Sequence, residues 1–297
     1  MQRRSWTSLS PEDKAKYIRA DQCLMNTPPQ YGIPGAKSIW EELQYAHIRN
    51  MNWIHGVSQF LFWHRYYVTT YERLMNRHCD WQGGVPYWQI SVDADSILSS
   101  PVWDANLGVG GNGAGGNGCI QDGPFRNLTL HFTQDGNVGP PYCLTRSINA
   151  ETFRGSAQRF VDECVASPTF AEAHVCYEGF VHASAHDGTG GVMANALTAP
   201  GDPIFFLHHT NLDRLFWAWQ QRNATRLQDV SGANTPSEAF NRGNGWTPPG
   251  PEFTQYSGDN GPWTTLGHVL WVCGIMPNVT IAEVMDLHGP TVCAEYV

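Results

Sequence analysis

The sequence predicts a mainly α-helical fold, a four-helix bundle with long loops and a few short β-strands. Three observations predict it. Five segments carry helix-start signals or helical spacing of apolar residues. Two of these segments repeat one internal pattern of rings around a histidine. The stretches between them are rich in Gly, Pro and Asn, which suits irregular connections.

Ser10-Pro11-Glu12-Asp13 reads as an N-cap followed by Pro at the first helical position and acids in the first turn, opening a helix to about Cys23. Ser38-Ile39-Trp40-Glu41 has the spacing of a capping box and opens a second helix to about Met51. A third covers roughly Leu61 to His78. A fourth surrounds His182 and His186. A fifth starts at Asp202-Pro203 and runs to about Arg222. Val85 to Ile90 and His268 to Cys273 are candidate strands. Seven of the eleven residues from Gly108 to Gly118 are Gly, which predicts a flexible surface loop; no Gly-Lys-Ser/Thr follows to make it a phosphate cradle. A second loop is expected from Ser231 to Gly261. Helices on both sides of these loops share one chemical pattern, so a single domain is expected over residues 1–297.

Composition bounds the function. Charged residues are only 15% of the 297, against roughly a quarter in ordinary soluble domains, while aromatics are 12%. The net charge of −9 argues against nucleic acid, whose phosphates call for Lys and Arg clusters. No apolar run approaches the ~18 residues of a membrane span. The eight Cys are dispersed, with no C-x2-C pair, which suits disulfides in an oxidising compartment. Sequons at Asn127, Asn223 and Asn278 agree. The N-terminus has no apolar leader, so a secreted protein in mature form is expected.

Twelve histidines in this sparsely charged chain demand an explanation. Phe60, His64, Tyr67, Tyr71 and Leu74 fall at i, i+4, i+7, i+11 and i+14. Phe205, His209, Leu212, Phe216 and Trp219 fall at the same offsets. Each set makes one core-facing stripe with a His one turn after a Phe. His47 lines up with Trp40, Leu43 and Met51, and His55 lies between His47 and His64. His182 and His186 are i and i+4, one above the other on one face. Each half therefore offers three inward His. Unpaired buried imidazoles are hard to satisfy with hydrogen bonds, whereas a metal ion in each half satisfies them directly. The donors are all imidazole, which suits Zn, Cu, Fe or Ni. Di-iron bundles use Glu with Glu-x-x-His, and a di-zinc hydrolase would normally add bridging carboxylates; copper fits this donor set best.

Phe60-Leu61-Phe62-Trp63-His64-Arg65 and Asp202-Pro203-Ile204-Phe205-Phe206-Leu207-His208-His209-Thr210-Asn211-Leu212-Asp213-Arg214 resemble the two signatures of type 3 copper proteins, which are the tyrosinases, catechol oxidases and haemocyanins. The likeness is strongest to short secreted fungal tyrosinases. It extends to Arg3-Arg4-Ser5-Trp6, Pro86-Tyr87-Trp88, Gly123-Pro124-Phe125 and Val284-Met285-Asp286.

The resemblance implies a copper A held by His47, His55 and His64 and a copper B held by His182, His186 and His209, with His208 either supporting those ligands from behind or packing beside the site. His78, His131, His174, His268 and His288 match no ligand position. The resemblance also implies O2 as co-substrate and oxidation of small phenolic substrates: o-diphenols to o-quinones, with hydroxylation of some monophenols or oxidation of o-aminophenols. Phe205 should pack against a copper-B ligand. Glu178, one turn before His182, should reach the site rim and hold a water. Ala183 stands where monophenol-active relatives often carry Asn, which counts against strong monophenolase activity. Asp187 sets a carboxylate beside the copper-B helix, as a proton acceptor or a bar to acidic substrates. Ala196 matches the gate position and predicts an open entrance.

Trp53 replaces the Cys that some relatives cross-link to the second ligand. The closing Tyr-x-Tyr motif survives only as Ala294-Glu295-Tyr296, with no C-terminal lid domain after it, so a form that is not latent or is already trimmed is expected. A haemocyanin-like oxygen carrier is the main alternative, and no covering residue for it is evident in the sequence. A monomer or weak oligomer is expected.

Overall fold

The computed structural model describes residues 1–133, 135–246 and 258–297. Its first two helices form where the sequence places their caps, and helices at Gln158–Ala166, Phe170–Cys176 and Glu238–Asn244 add to the five expected. Helix α1 (Pro11–Asn26) starts on Ser10, whose hydroxyl accepts from the Asp13 amide. Helix α2 (Ile39–Ile54) starts on Ser38, which accepts from the Glu41 amide. The expected capping box is half formed. The Glu41 carboxylate turns instead to the Lys37 amide and to the amide and ring of His131. Helix α3 (Phe60–His78) begins one residue earlier than the sequence suggests.

The candidate strand at Val85–Ile90 does not form. Tyr87 makes an isolated bridge to Ser5, and a helical turn begins at Ile90. Pro86 lacks the amide a ladder needs, and the Trp88 amide is committed to the Leu207 carbonyl. The Gly-rich loop is pinned rather than free. Two-residue strands β2 (Gly113–Ala114) and β3 (Cys119–Ile120) pair within and beside it. The buried Arg146 guanidinium donates to the Val109, Gly110 and Gly111 carbonyls while holding Asp202 at 2.7 Å. Strands β4 (Thr129–Phe132) and β5 (Val138–Cys143) make an antiparallel pair beside α2.

Helix α4 (Gln158–Ala166) is followed by α5 (Phe170–Cys176), a π-helical segment (Tyr177–His182) and α6 (Ala183–Thr189). Gly190 ends α6 with φ +68° and its amide on the His186 carbonyl. A side chain there would meet the Ser147 carbonyl at 2.6 Å, so the turn requires Gly. Helix α7 (Ile204–Gln220) opens with Asp202 accepting from the Ile204 amide. Within the expected 231–261 loop, Ser237 caps a short helix α8 (Glu238–Asn244); residues 247–257 of that loop lie outside the described residues. Val269–Leu270 (β6) pairs with Val279–Thr280 (β7), so the second candidate strand forms in part.

The core is aromatic. Helices α3 and α7 pack through Phe62 on Phe216 (5.2 Å between ring centroids), Tyr67 on Phe205 (5.9 Å) and Tyr71 stacked on Phe206 (3.8 Å). Edge-to-face and offset pairs of this kind add about 0.5–1.5 kcal/mol each beyond area burial. Helix α2 closes on α3 through Trp40 against Tyr71 and through the Tyr67 hydroxyl on the Leu43 carbonyl. The chain ends meet as β1 (Gln2–Arg3) parallel to β8 (Glu295–Tyr296). Arg3 there is fully buried, 3.1 Å from Glu72 on α3 and 3.0 Å from Asp213 on α7. Six cysteines pair: Cys23 with Cys79, Cys119 with Cys143 and Cys164 with Cys176. Cys273 and Cys293 are free thiols.

Candidate metal centre

Two histidine groups lie back to back inside the bundle. His47 projects from α2, His55 is the residue that ends α2, and His64 projects from α3. His182 ends the π segment, His186 lies on α6, and His208 and His209 lie on α7. In each group the donor atoms lie within 4.8 Å of one another, so each is able to hold a metal ion. The groups touch: His64 stacks on His209 at 4.4 Å between centroids, and His55 lies 5.9 Å from His182.

Backbone carbonyls set the ring orientations. Nδ1 of His47 faces Leu197, that of His55 Met51, that of His64 Phe60, that of His182 Glu178 and that of His186 Met193, at 2.7–3.4 Å. A carbonyl on Nδ1 makes it the N–H and leaves Nε2 as the free donor. The Nε2 atoms accordingly converge, 3.4 Å apart for His47 and His64 and 3.2 Å for His186 and His209. The His182 Nε2 is buried with no hydrogen-bond partner among the described residues. Desolvation drives every one of these imidazoles toward the neutral, metal-binding form; His55 and His186 are lowered to about 4, with the neighbouring imidazoles adding to the effect in most of the others. An all-imidazole, neutral, converging set with orphaned nitrogens fits two copper ions.

Below the groups, Phe205 stacks on His209 at 4.1 Å and edges onto His47 at 5.3 Å. Above them a cavity of about 520 Å³ opens to solvent and reaches His47, His55, His182 and His186. Glu178, Ala183, Asp187 and Ala196 all line it. Glu178 is buried and accepts from the Gly56 amide at 2.7 Å. Desolvation raises its carboxyl to about 8, the Gly56 hydrogen bond only partly opposing this. Asp187 is exposed at the rim, where partial desolvation raises its carboxyl.

Three further residues shape this cavity without a sequence signal strong enough to find them. His174 is buried in its wall, with Nδ1 unpartnered among the described residues. Phe240 and Trp246 come from the irregular loop and lie edge to face, with Trp246 5.9 Å from His55. An aromatic pair therefore shields the His55 side, although the sequence shows no covering residue. Of the other histidines, His78 meets the Tyr31 hydroxyl, His131 Glu41, His268 Asp259 at 2.6 Å and His288 the Trp217 ring.

Comparison with known proteins agrees with this geometry. Residues 37–222 match the common central domain of tyrosinase. The tyrosinase-like protein phomQ1 of Diaporthe leptostromiformis is 30% identical over 99% of this chain and 77% of its own length. The N-acetyl-6-hydroxytryptophan oxidase ivoB of Emericella nidulans is 25% identical over 99% of this chain and 91% of its own. A mutant polyphenol oxidase from Thermothelomyces thermophila shares the fold with a TM-score of 0.85 at 24% identity, covering 100% of this chain and 88% of the other. The chain belongs to the tyrosinase family of type 3 copper proteins.

Proposed function

We propose that this copper oxidoreductase oxidises o-diphenols to o-quinones with O2, accepts o-aminophenols, and acts weakly on monophenols. The observation that carries the reading is the open cavity, wide enough for a substituted phenol, that brings solvent to both histidine groups. His47, His55 and His64 hold one copper, and His182, His186 and His209 the other. When bound, the copper pair supplies O2 activation and takes up the electrons of the phenol. The chain's own part is orientation and exclusion of water. Phe205 fixes the ring plane of His209 from below. Glu178 holds a water through its carboxyl at the cavity wall. Ala183 offers no side-chain hydrogen bond to such a water, which favours diphenols over monophenols. Ala196 leaves the entrance unblocked, and Phe240 with Trp246 gives the substrate ring an aromatic wall. Asp187 places charge at the rim and disfavours carboxylated phenols. Three disulfides, together with sequon residues Asn127, Asn223 and Asn278 that are all exposed, support a secreted, glycosylated protein.

The test combines metal analysis with turnover of 4-tert-butylcatechol and of a matched monophenol. Two coppers per chain with rapid catechol and slow monophenol oxidation is the expected result. Two coppers that bind O2 without forming quinone would mean an oxygen carrier, and zinc in their place would overturn the reading.

A further inference from the structure

Seven buried imidazoles surround the centre, and six suffice for two three-histidine sites. The seventh is His208 on α7. It is fully buried, and among the described residues it is the one histidine with both ring nitrogens buried and unpartnered. A neutral imidazole carries one N–H donor and one acceptor, and leaving both without partners in the interior is costly. Packing alone does not account for it. Its neighbours on α7 include Phe205, Phe206, Leu207 and Leu212, and a ring or branched chain of that kind would fill the same space without desolvating two nitrogens. Nor does it steer a donor, because it makes no hydrogen bond to any of the other six.

Its surroundings are imidazole on three sides. The His208 ring lies 5.7 Å from His182, 5.3 Å from His186 and 5.1 Å from His209. One of its nitrogens falls within 4.8 Å of the donor atoms of all three. The first group therefore presents three imidazoles and the second presents four. His209, its neighbour, is the one of the six without a carbonyl on Nδ1, which is itself unpartnered. The two rings of the His208-His209 pair are thus both free of the backbone contacts that lock the other five.

We propose that His208 is a fourth imidazole donor to the second copper site while that site is filled alone, so that the second group loads before the first. The proposal rests on the dicopper reading above. Four convergent imidazoles outcompete three for a single equivalent of copper. Once the first site is also filled, three donors serve each metal, and His208 remains as the reserve that recaptures copper when a donor lets go.

The experiment begins with metal-free protein given one equivalent of Cu(II), read by pulsed electron paramagnetic resonance. Four imidazole couplings are expected in the parent, and one fewer in His208→Phe. In parallel, fully loaded and reduced proteins are titrated anaerobically with the Cu(I) chelator bathocuproine disulfonate. The variant is expected to give up one of its two coppers at about tenfold lower chelator, in the range seen when the surroundings of a metal site are altered. The metal-free variant should melt no lower than the metal-free parent, since the substitution removes two orphaned nitrogens. An unchanged set of couplings would overturn the proposal, and so would superimposable chelator curves. A parent that holds fewer than two coppers at saturation overturns the dicopper reading itself, and this is read from the parent alone.

Discussion

At the residue scale, the site is a problem of keeping polar groups neutral. Burial holds the imidazoles uncharged, and His55 and His186 are lowered from 6.5 to about 4. Between pH 6.5 and about 4 the unfolded chain binds protons that the folded chain refuses, so stability falls as the pH drops through that window. Metal-free protein should therefore lose urea resistance steeply across it, as a midpoint measured at several pH values will show. Asp187 offers a second residue-scale prediction. Asp187→Asn should raise kcat/KM for a carboxylated catechol a few-fold, the effect of about 0.5–1 kcal/mol expected of a solvated rim charge. The same change should leave a neutral catechol within about twofold.

At the scale of elements, the π segment Tyr177–His182 matters most. Its hydrogen bonds reach one residue further along the chain than those of an α-helix, a device common at functional sites. It sets Glu178 against Gly56 on the far wall while His182 still faces the metal centre. Gly179 lies within it and would meet no neighbouring atom if it carried a side chain. Deleting Gly179 should relax the segment to α-helix and bring Glu178 from four residues before His182 to three, moving its carboxyl off the Gly56 amide. The expected outcome is loss of the Glu178 contact and a pH profile shifted from that of the parent, with both coppers retained. A pH profile of catechol oxidation together with metal analysis checks this. Much of this scale was legible beforehand. Ser10, Ser38 and the Asp202-Pro203 start mark three helices, and the paired Phe-His stripes identify α3 and α7 as core. The π segment was not legible, because nothing in Tyr177-Glu178-Gly179-Phe180-Val181-His182 separates five-residue from four-residue hydrogen bonding.

At the scale of the whole molecule, a buried charge network joins the chain ends to the two helices that carry His64 and His209. Arg3 meets Glu72 and Asp213, Arg65 meets Asp213 at 2.5 Å, and the Tyr296 hydroxyl donates to Asp213 at 2.6 Å. Arg65 can hold Asp213 alone, but among the described residues Glu72 has no second cation. Arg3→Ala should therefore cost about 3–5 kcal/mol, the penalty for stranding a buried charge, in urea unfolding monitored by tryptophan fluorescence. Arg3→Lys should recover only part of that, because a single ammonium cannot span both acids as a guanidinium does.

The sequence by itself determined the helical class, the positions of the histidine-bearing helices and the burial of their histidines. It could do so because helical spacing and capping are local, and because a polar ring on an apolar stripe is conspicuous. Only the tertiary structure decided which nitrogens converge, that Glu178 is buried against the Gly56 amide, that Phe240 and Trp246 wall the cavity and that, among the described residues, His208 is left without a partner. Those are consequences of burial and of contacts between residues far apart in the chain. No local pattern encodes them, since a buried histidine finds a partner or is left without one according to what the rest of the fold places around it.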